Sequence, residues 1–226
     1  MENNLKTKEP QYQIINDVIE KHGITSFGLM ANESWNQDPK RTIFTLSRYK
    51  FVAKMFSGKN NVLEIGCADA FGTRIVQQHV DMVTAIDFDP VFIQDIEKRY
   101  NKNWPLEFLV HDMLYSPIER NFDAAYCLDV LEHIKPSDEE LFIRNICQSI
   151  NPNGVFIAGM PSLESQKYAS PQSKAGHVNC KSGLDFKKLM EIYFHNVFLF
   201  SMNDEVVHTG FSPMAQYLLV LCTDKK

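Results

Sequence analysis

From residue 61 onward the apolar positions come in short runs, and between the runs they recur every three or four residues. That alternation predicts strands joined by helices that cover both faces of a parallel sheet. The expected strands are NVLEI (61–65), MVTAID (Met82 to Asp87), LEFLV (Leu106 to Val110), FDAAYCLDV (Phe122 to Val130) and VFIAGM (Val155 to Met160). GTRIVQQH, PVFIQDIEKRY and LFIRNICQSI carry helical spacing. Pro90 suits a first helical turn, Ser137-Asp-Glu-Glu140 is a helix start with acids in place, and Asn151-Pro-Asn-Gly154 reads as a helix end. After a last helix, LDFKKLMEIYF, two strands follow without a helix between them, NVFLFSMND and AQYLLVLCTD, separated by a loop through Thr209 to Pro213. Such a pair closes a mostly parallel sheet with an antiparallel hairpin.

Residues 1–57 read as an N-terminal helical extension, with helices at about Tyr12 to His22 and Arg41 to Ser57 around the loop GLMANESWNQDP. Residues 58–226 form the main domain. Within it the polar segment 161–183 is too long for an ordinary connection, so a functional lid or a partly disordered loop is expected there.

A chain of 226 residues with 44% hydrophobic content supports one sizeable core. No apolar run reaches the length of a membrane span, and MENNLKTKEPQYQ is polar where a signal peptide would be apolar; a cytoplasmic protein without a membrane partner is expected. The net charge of -5 gives no electrostatic footprint for nucleic acid. KRTIFTLSRYK, the most basic window, has the spacing of an amphipathic helix instead. Five widely spaced cysteines, Cys67, Cys127, Cys147, Cys180 and Cys222, suit reduced and mostly buried thiols.

Three acids stand at the ends of three successive strands: Glu64, Asp87 and Asp112. In an open parallel sheet the crevice beyond the carboxyl ends of the strands takes the ligand, so all three point to one region. Asp87, about 20 residues after the first turn, is placed to accept from two ribose hydroxyls. The turn itself separates the cofactors. A dinucleotide fingerprint begun at Gly66 would need glycines at positions 68 and 71, which are Ala68 and Phe71. Glu64 would also add negative charge beside a phosphate. A sulfonium cofactor with an ammonium group and no phosphate tolerates that carboxylate, which favours S-adenosylmethionine over a nicotinamide.

Val62-Leu-Glu-Ile-Gly-Cys67 resembles the first motif of class I S-adenosylmethionine-dependent methyltransferases, and Ala85-Ile-Asp-Phe-Asp89 and His111-Asp112-Met113 resemble the second and third. Cys127-Leu-Asp-Val-Leu-Glu-His-Ile134 is similar to the segment after the fourth strand in the branch that includes ubiquinone- and menaquinone-biosynthesis enzymes, and Asn151 to Phe156 to the family's turn into the fifth strand. The resemblance runs in register over about residues 58 to 160. It implies a Rossmann-like, doubly wound, seven-stranded α/β sheet and S-adenosyl-L-methionine as cofactor.

Carried over by position, Gly66 and Ala68 would approach the methionine portion, with Glu64 near its amino group. Asp87 and Phe88 would meet the ribose side, Asp112 the adenine amino group, and Met113 the ring face. Leu128 and Asp129 would line the methionine side. Ala68 and Ala70 depart from the family's glycines. Because alanine disfavours positive φ, ordinary backbone angles are expected at both.

Methyl transfer is mainly positioning, and a base is needed only where the acceptor carries a proton. His133 and His177 are the candidate bases. His177 and Asn179 on the long loop, with Trp35, are the expected acceptor contacts, and Arg48 with Tyr49 could meet the methionine carboxylate. Asp129, Glu132, His133 and His177 show no spacing typical of metal ligands, so no metal is expected. The expected activity is methylation of a small acceptor at oxygen: a sugar, a sugar nucleotide or a secondary metabolite. A nucleic acid partner is not expected, and a second copy of the chain is left open. The alternatives are a non-catalytic adenosyl-binding regulatory module and, less favoured, an RNA or protein methyltransferase.

Overall fold

A computed structural model describes residues 7–226; residues 1–6 of the expected extension lie outside the described part. The helices are α1 (Gln13–His22), α2 (Leu29–Gln37), α3 (Pro39–Met55), α4 (Thr73–Val76), α5 (Pro90–Arg99), α6 (Glu139–Ser149), α7 (Pro171–Gly176) and α8 (Gly183–Met190). The strands are β1 (Asn61–Ile65), β2 (Met82–Asp87), β3 (Glu107–Val110), β4 (Phe122–Leu128), β5 (Ile150–Pro161), β6 (Phe194–Asn203), β7 (Val206–His208) and β8 (Tyr217–Lys225).

All eight strands form one sheet in the order β3-β2-β1-β4-β5-β8-β6-β7. Strands β1 to β5 pair in parallel, while β8 runs antiparallel between β5 and β6. The sheet therefore has eight strands where seven were expected. The extra one, β7, folds back on the end of β6, pairing Ser201 with His208 and Asn203 with Val206.

Strand parity sorts the core into two layers. Leu63, Ile65, Ala125 and Cys127 face the layer that contains Phe142, Ile143 and Ile146 of α6 and Phe186 of α8. Val62, Ala124, Tyr126 and Leu128 face the other, filled by Tyr49, Val52 and Ala53 of α3, with Phe56 just beyond it. Each fully buried aliphatic or aromatic side chain contributes roughly 1.5–3 kcal/mol, so these layers fix the height of every strand end.

Two further expectations change, and a third segment gains detail. The stretch read as a loop between the first two long helices contains α2. Asn151 to Gly154 lie inside β5, where three extra residues enter between the Phe122–Ile150 and Ala124–Val155 pairs, so they form an irregular strand start. The segment 161–183 is ordered into a 3-10 turn (Glu164–Tyr168) and α7, and the bridge from Ser162 to Lys181 closes its base. Among the described residues no helix is long and apolar enough to cross a membrane.

Candidate active site

The turn after β1 is tied to the end of β2. The Gly66 and Cys67 amides donate to the Ile86 carbonyl at 2.8 and 3.0 Å, and the Ala68 amide donates to Asp87 Oδ2 at 2.9 Å. Gly66 has φ 72°, and a Cβ there would lie 2.4 Å from Val130 Cγ2, so both conformation and space require glycine. Contrary to expectation, Ala68 and Ala70 also have positive φ, 45° and 53°. The turn keeps the left-handed geometry at every second residue and holds two alanines in it, at about 1–2 kcal/mol each.

Asp87 is 5% exposed. Its second oxygen accepts from the Asp89 amide at 2.9 Å, and burial raises its pKa. Each oxygen keeps a lone pair for a further donor. Asp89 caps α5 by accepting from Val91, so Asp87 is not needed for that purpose. Phe88 is 71% exposed at the strand end. Asp112 Oδ1 accepts from the Leu114 amide at 2.8 Å. Met113 and Leu128 are buried in opposite core layers, so each supports the cleft from below.

Glu64 points by strand parity into the α3 layer and is 1% exposed. It accepts from Thr73 Oγ1 at 2.5 Å, while its Oε1 and the Tyr126 hydroxyl are buried without hydrogen-bond partners. Burial pushes its pKa up to about 7, against the opposing effect of the Thr73 bond. Tyr49 is part of the same buried layer and crowds Gly72, whose Cβ would meet the Tyr49 ring at 2.3 Å. Arg48 is committed to another carboxylate: its Nη1 lies 2.6 Å from Asp129 Oδ2, and its guanidinium lies 3.8 Å over the Tyr217 ring. Arg48 Nη1 is engaged while its Nε is buried without a partner, so a ligand carboxylate would share Arg48 with Asp129. Asp129 itself has φ 58°.

The N-terminal helices reach the turn through Asp69, which the sequence reading did not assign. Its Oδ2 accepts from the Ala31 amide in the first turn of α2 at 2.7 Å, and its Oδ1 accepts from Phe71 at 3.1 Å. A Cβ on Gly28 would strike the Asp69 side chain at 2.3 Å. Trp35 is half exposed and stacks with Phe27, which in turn packs edge-on against Phe71.

On the far side of Val130, a 3-10 turn (Leu131–His133) meets the long loop. The Val178 and Asn179 amides both donate to the Glu132 carbonyl, at 2.8 and 3.0 Å. This brings the His133 and His177 rings to 5.1 Å, edge to face. His133 Nδ1 bonds the Gly176 carbonyl at 2.9 Å and His177 Nδ1 bonds Gln166 Oε1 at 2.8 Å. Both partners are acceptors, so both Nδ1 atoms carry the proton and both Nε2 atoms keep a lone pair. Partial burial lowers the His177 pKa. Asn179 is turned away, donating to Glu139 Oε2 at 2.6 Å and accepting from Lys181 at 3.1 Å. Sequence reasoning missed Gln166 and the burial of Glu132; a polar residue 11 positions before His177 carries no periodic signal.

A cleft of about 650 Å³ lies under residues 21–26 and touches the turn at Asp69, Ala70 and Phe71; Asp87, Asp112 and Asp129 do not line it. The chemistry-bearing groups lie instead along the open carboxyl edge of the sheet.

Residues 63–158 match the family described as a methyltransferase domain. The chain is 24% identical over 154 residues to the mitochondrial ubiquinone biosynthesis O-methyltransferase of Schizosaccharomyces pombe, covering 63% of this chain and 56% of that protein. It is 28% identical over 100 residues to nodulation protein S of Rhizobium tropici, covering 44% and 42%. The chain thus spans about half the length of these curated relatives. Among solved structures, the N-methyltransferase NodS from Bradyrhizobium japonicum WM9, in complex with S-adenosyl-L-homocysteine, superposes with a TM-score of 0.65 at 17% identity, over 96% of this chain and 99% of that one. The order of motifs, the sheet topology and the family match agree: residues 63–158 form a methyltransferase domain, on a fold shared with S-adenosylmethionine-dependent methyltransferases.

Proposed function

We propose that the protein transfers the methyl group of S-adenosylmethionine to a hydroxyl oxygen of a small acceptor: a sugar, a sugar nucleotide or a secondary metabolite. The observation that carries this reading is the alignment of Gly66, Asp87 and Asp129 along the carboxyl edge of the sheet. The residues fit the cofactor. Asp87 retains lone pairs for two ribose hydroxyls, and exposed Phe88 suits an aromatic ring. Glu64 Oε1 is buried in the α3 core layer without a partner, and an ammonium group reaching it would supply the missing donor. When bound, the cofactor supplies an electrophilic methyl carbon on a positively charged sulfur. The chain's part is to align the acceptor oxygen with that carbon and to exclude water. A neutral amine needs no base, whereas a hydroxyl must lose its proton. The two unprotonated Nε2 atoms of His133 and His177 favour the hydroxyl. The curated relatives named for ubiquinone biosynthesis and nodulation support a small acceptor.

Calorimetry with S-adenosylmethionine, its demethylated product and NADH tests the reading, followed by transfer of a labelled methyl group to hydroxylated acceptors. Both adenosyl compounds should bind and NADH should not. Asp87→Ala removes two charge-assisted hydrogen bonds and should weaken binding by roughly 100-fold or more. Absence of binding by either adenosyl compound at millimolar concentration would overturn the proposal, and binding with no transfer to any acceptor would favour a non-catalytic module.

A further inference from the structure

Glu132, His133 and His177 form a cluster that the methyl-transfer reading uses only in part. Glu132 is completely buried, and neither of its carboxylate oxygens has a hydrogen-bond partner. A buried carboxyl with four empty acceptor sites costs several kcal/mol unless something fills them. Glu132 Oε1 lies 4.0 Å from His133 Nε2, and one ligand atom from each of the three residues falls within 4.8 Å of the other two.

The two imidazoles are oriented as ligands are. Each donates its Nδ1 proton to a fixed oxygen, the Gly176 carbonyl and the Gln166 amide, which fixes the tautomer and leaves Nε2 as the free donor atom. Glu132 and His133 are adjacent, and His177 lies 44 residues beyond His133. They are held together by the two amides that clamp the Glu132 carbonyl to the loop.

We infer that Glu132 Oε1, His133 Nε2 and His177 Nε2 bind a divalent transition-metal ion. Imidazole with carboxylate suits manganese, iron, cobalt, nickel or zinc, and disfavours calcium and magnesium. Bonds of about 2.1 Å set pairs of ligand atoms about 3–4.2 Å apart, so side-chain shifts of under about 1 Å close the site. Three protein ligands leave positions open for oxygens of the acceptor. Asp129, paired with Arg48, stands three residues before Glu132 and fixes the edge of the site nearest the turn.

The role of the ion rests on the methyl-transfer reading; its binding does not. With the ion bound, the two Nε2 atoms act as ligands in place of bases: an acceptor hydroxyl bound to the ion becomes more acidic and releases its proton to water. An oxygen lone pair then forms the new bond to the methyl carbon as the carbon–sulfur bond breaks and its electrons return to sulfur. Oxygens on adjacent carbons of the acceptor, as in a catechol or a sugar diol, would occupy two open positions.

The test uses the full chain freed of metal by chelation, with Mn2+ as probe, its binding followed by electron paramagnetic resonance without cofactor. Cofactor affinity is measured by calorimetry on the same sample. One Mn2+ per chain at micromolar affinity is expected, weakened at least 100-fold in both Glu132→Gln and His177→Ala. The second variant alters an ordered surface loop and guards against a folding failure of the first. Methyl transfer should fall on chelation and return with Mn2+. If cofactor binds while Mn2+ does not, or if Mn2+ binds both variants as it binds the wild type, the metal site is overturned and the methyltransferase reading stands. If neither binds, both fail.

Discussion

The two halves of the carboxyl edge handle their acids in opposite ways. Around the turn after β1, Asp69 and Asp87 each use both oxygens to hold backbone amides, and Asp112 uses one. Beyond Val130, Glu132 is more deeply buried and uses neither oxygen. A carboxylate satisfied by its own chain builds a shape. One buried without partners lowers stability and persists where a ligand completes it. The turn is therefore a preformed cradle, and the Glu132 cluster is a site completed by what binds there. Glu64 is the exception on the turn side, with one oxygen on Thr73 and one free.

Glu64 gives the largest expected effect. Its pKa rises on folding from an ordinary 4.5 to about 7 because burial penalises the charge. The folded state therefore holds the proton more tightly than the unfolded state. The stability this contributes is fully present below about pH 4.5 and is lost as pH rises through about 7, a change of roughly 3 kcal/mol. Glu64→Gln keeps an acceptor for Thr73 and removes the titration. Urea unfolding from pH 4.5 to 8 should show the variant gaining on the wild type by about that amount, while cofactor binding weakens because the ammonium loses its counter-charge. Parallel pH profiles would show that Glu64 is satisfied in the protein and that the contrast has no exception.

Glu132→Met sharpens the same contrast from the other side. Replacing an unsatisfied buried acid by an apolar chain of similar length should stabilise the metal-free protein by about 1–3 kcal/mol. Methyl transfer should disappear in the same variant. A loss of stability, read from the urea midpoint, would mean that Glu132 is part of the scaffold, and the two halves would no longer differ.

What the sequence made legible follows the same division. Strand parity and the acids at 64, 87 and 112 are local signals, so the five parallel strands and the acids toward their carboxyl ends could be read directly. Helix α2 could not, because LMANESWNQ has no cap of its own. Its first amides are satisfied by Asp95 and Asp69, 66 and 38 residues away. The same holds for His177, which reaches His133 only through the clamp on the Glu132 carbonyl. Asn151-Pro-Asn-Gly154 carries every local mark of a turn and bulges out unpaired, while the β4 pairs at Ile150 and Val155 on either side draw it into the start of β5. Arg48 was legible as a cation near the site, but its commitment to Asp129 was not, since the two are 81 positions apart.

The smallest effect tests how rigid the cradle is. Ala68 and Ala70 hold positive φ at a cost of about 1–2 kcal/mol each, and a glycine would remove that cost while adding about 0.5–1 kcal/mol of unfolded-state entropy. The Ala70 methyl packs against the cluster of Cys67, Ala85, Ile93 and Ile96, and losing it offsets the remaining gain. Ala68 is not part of that cluster. Ala68→Gly should therefore stabilise by about 0.5 kcal/mol and Ala70→Gly should leave stability nearly unchanged, whereas Ala53→Gly, buried in the last turn of α3, should lower it by about 1 kcal/mol. Denaturant midpoints with a common slope are sufficient to resolve the order. A loss at Ala68 equal to that at Ala53 would mean that the backbone there relaxes to ordinary angles, and the turn would be shaped by its ligand in the same way as the Glu132 cluster.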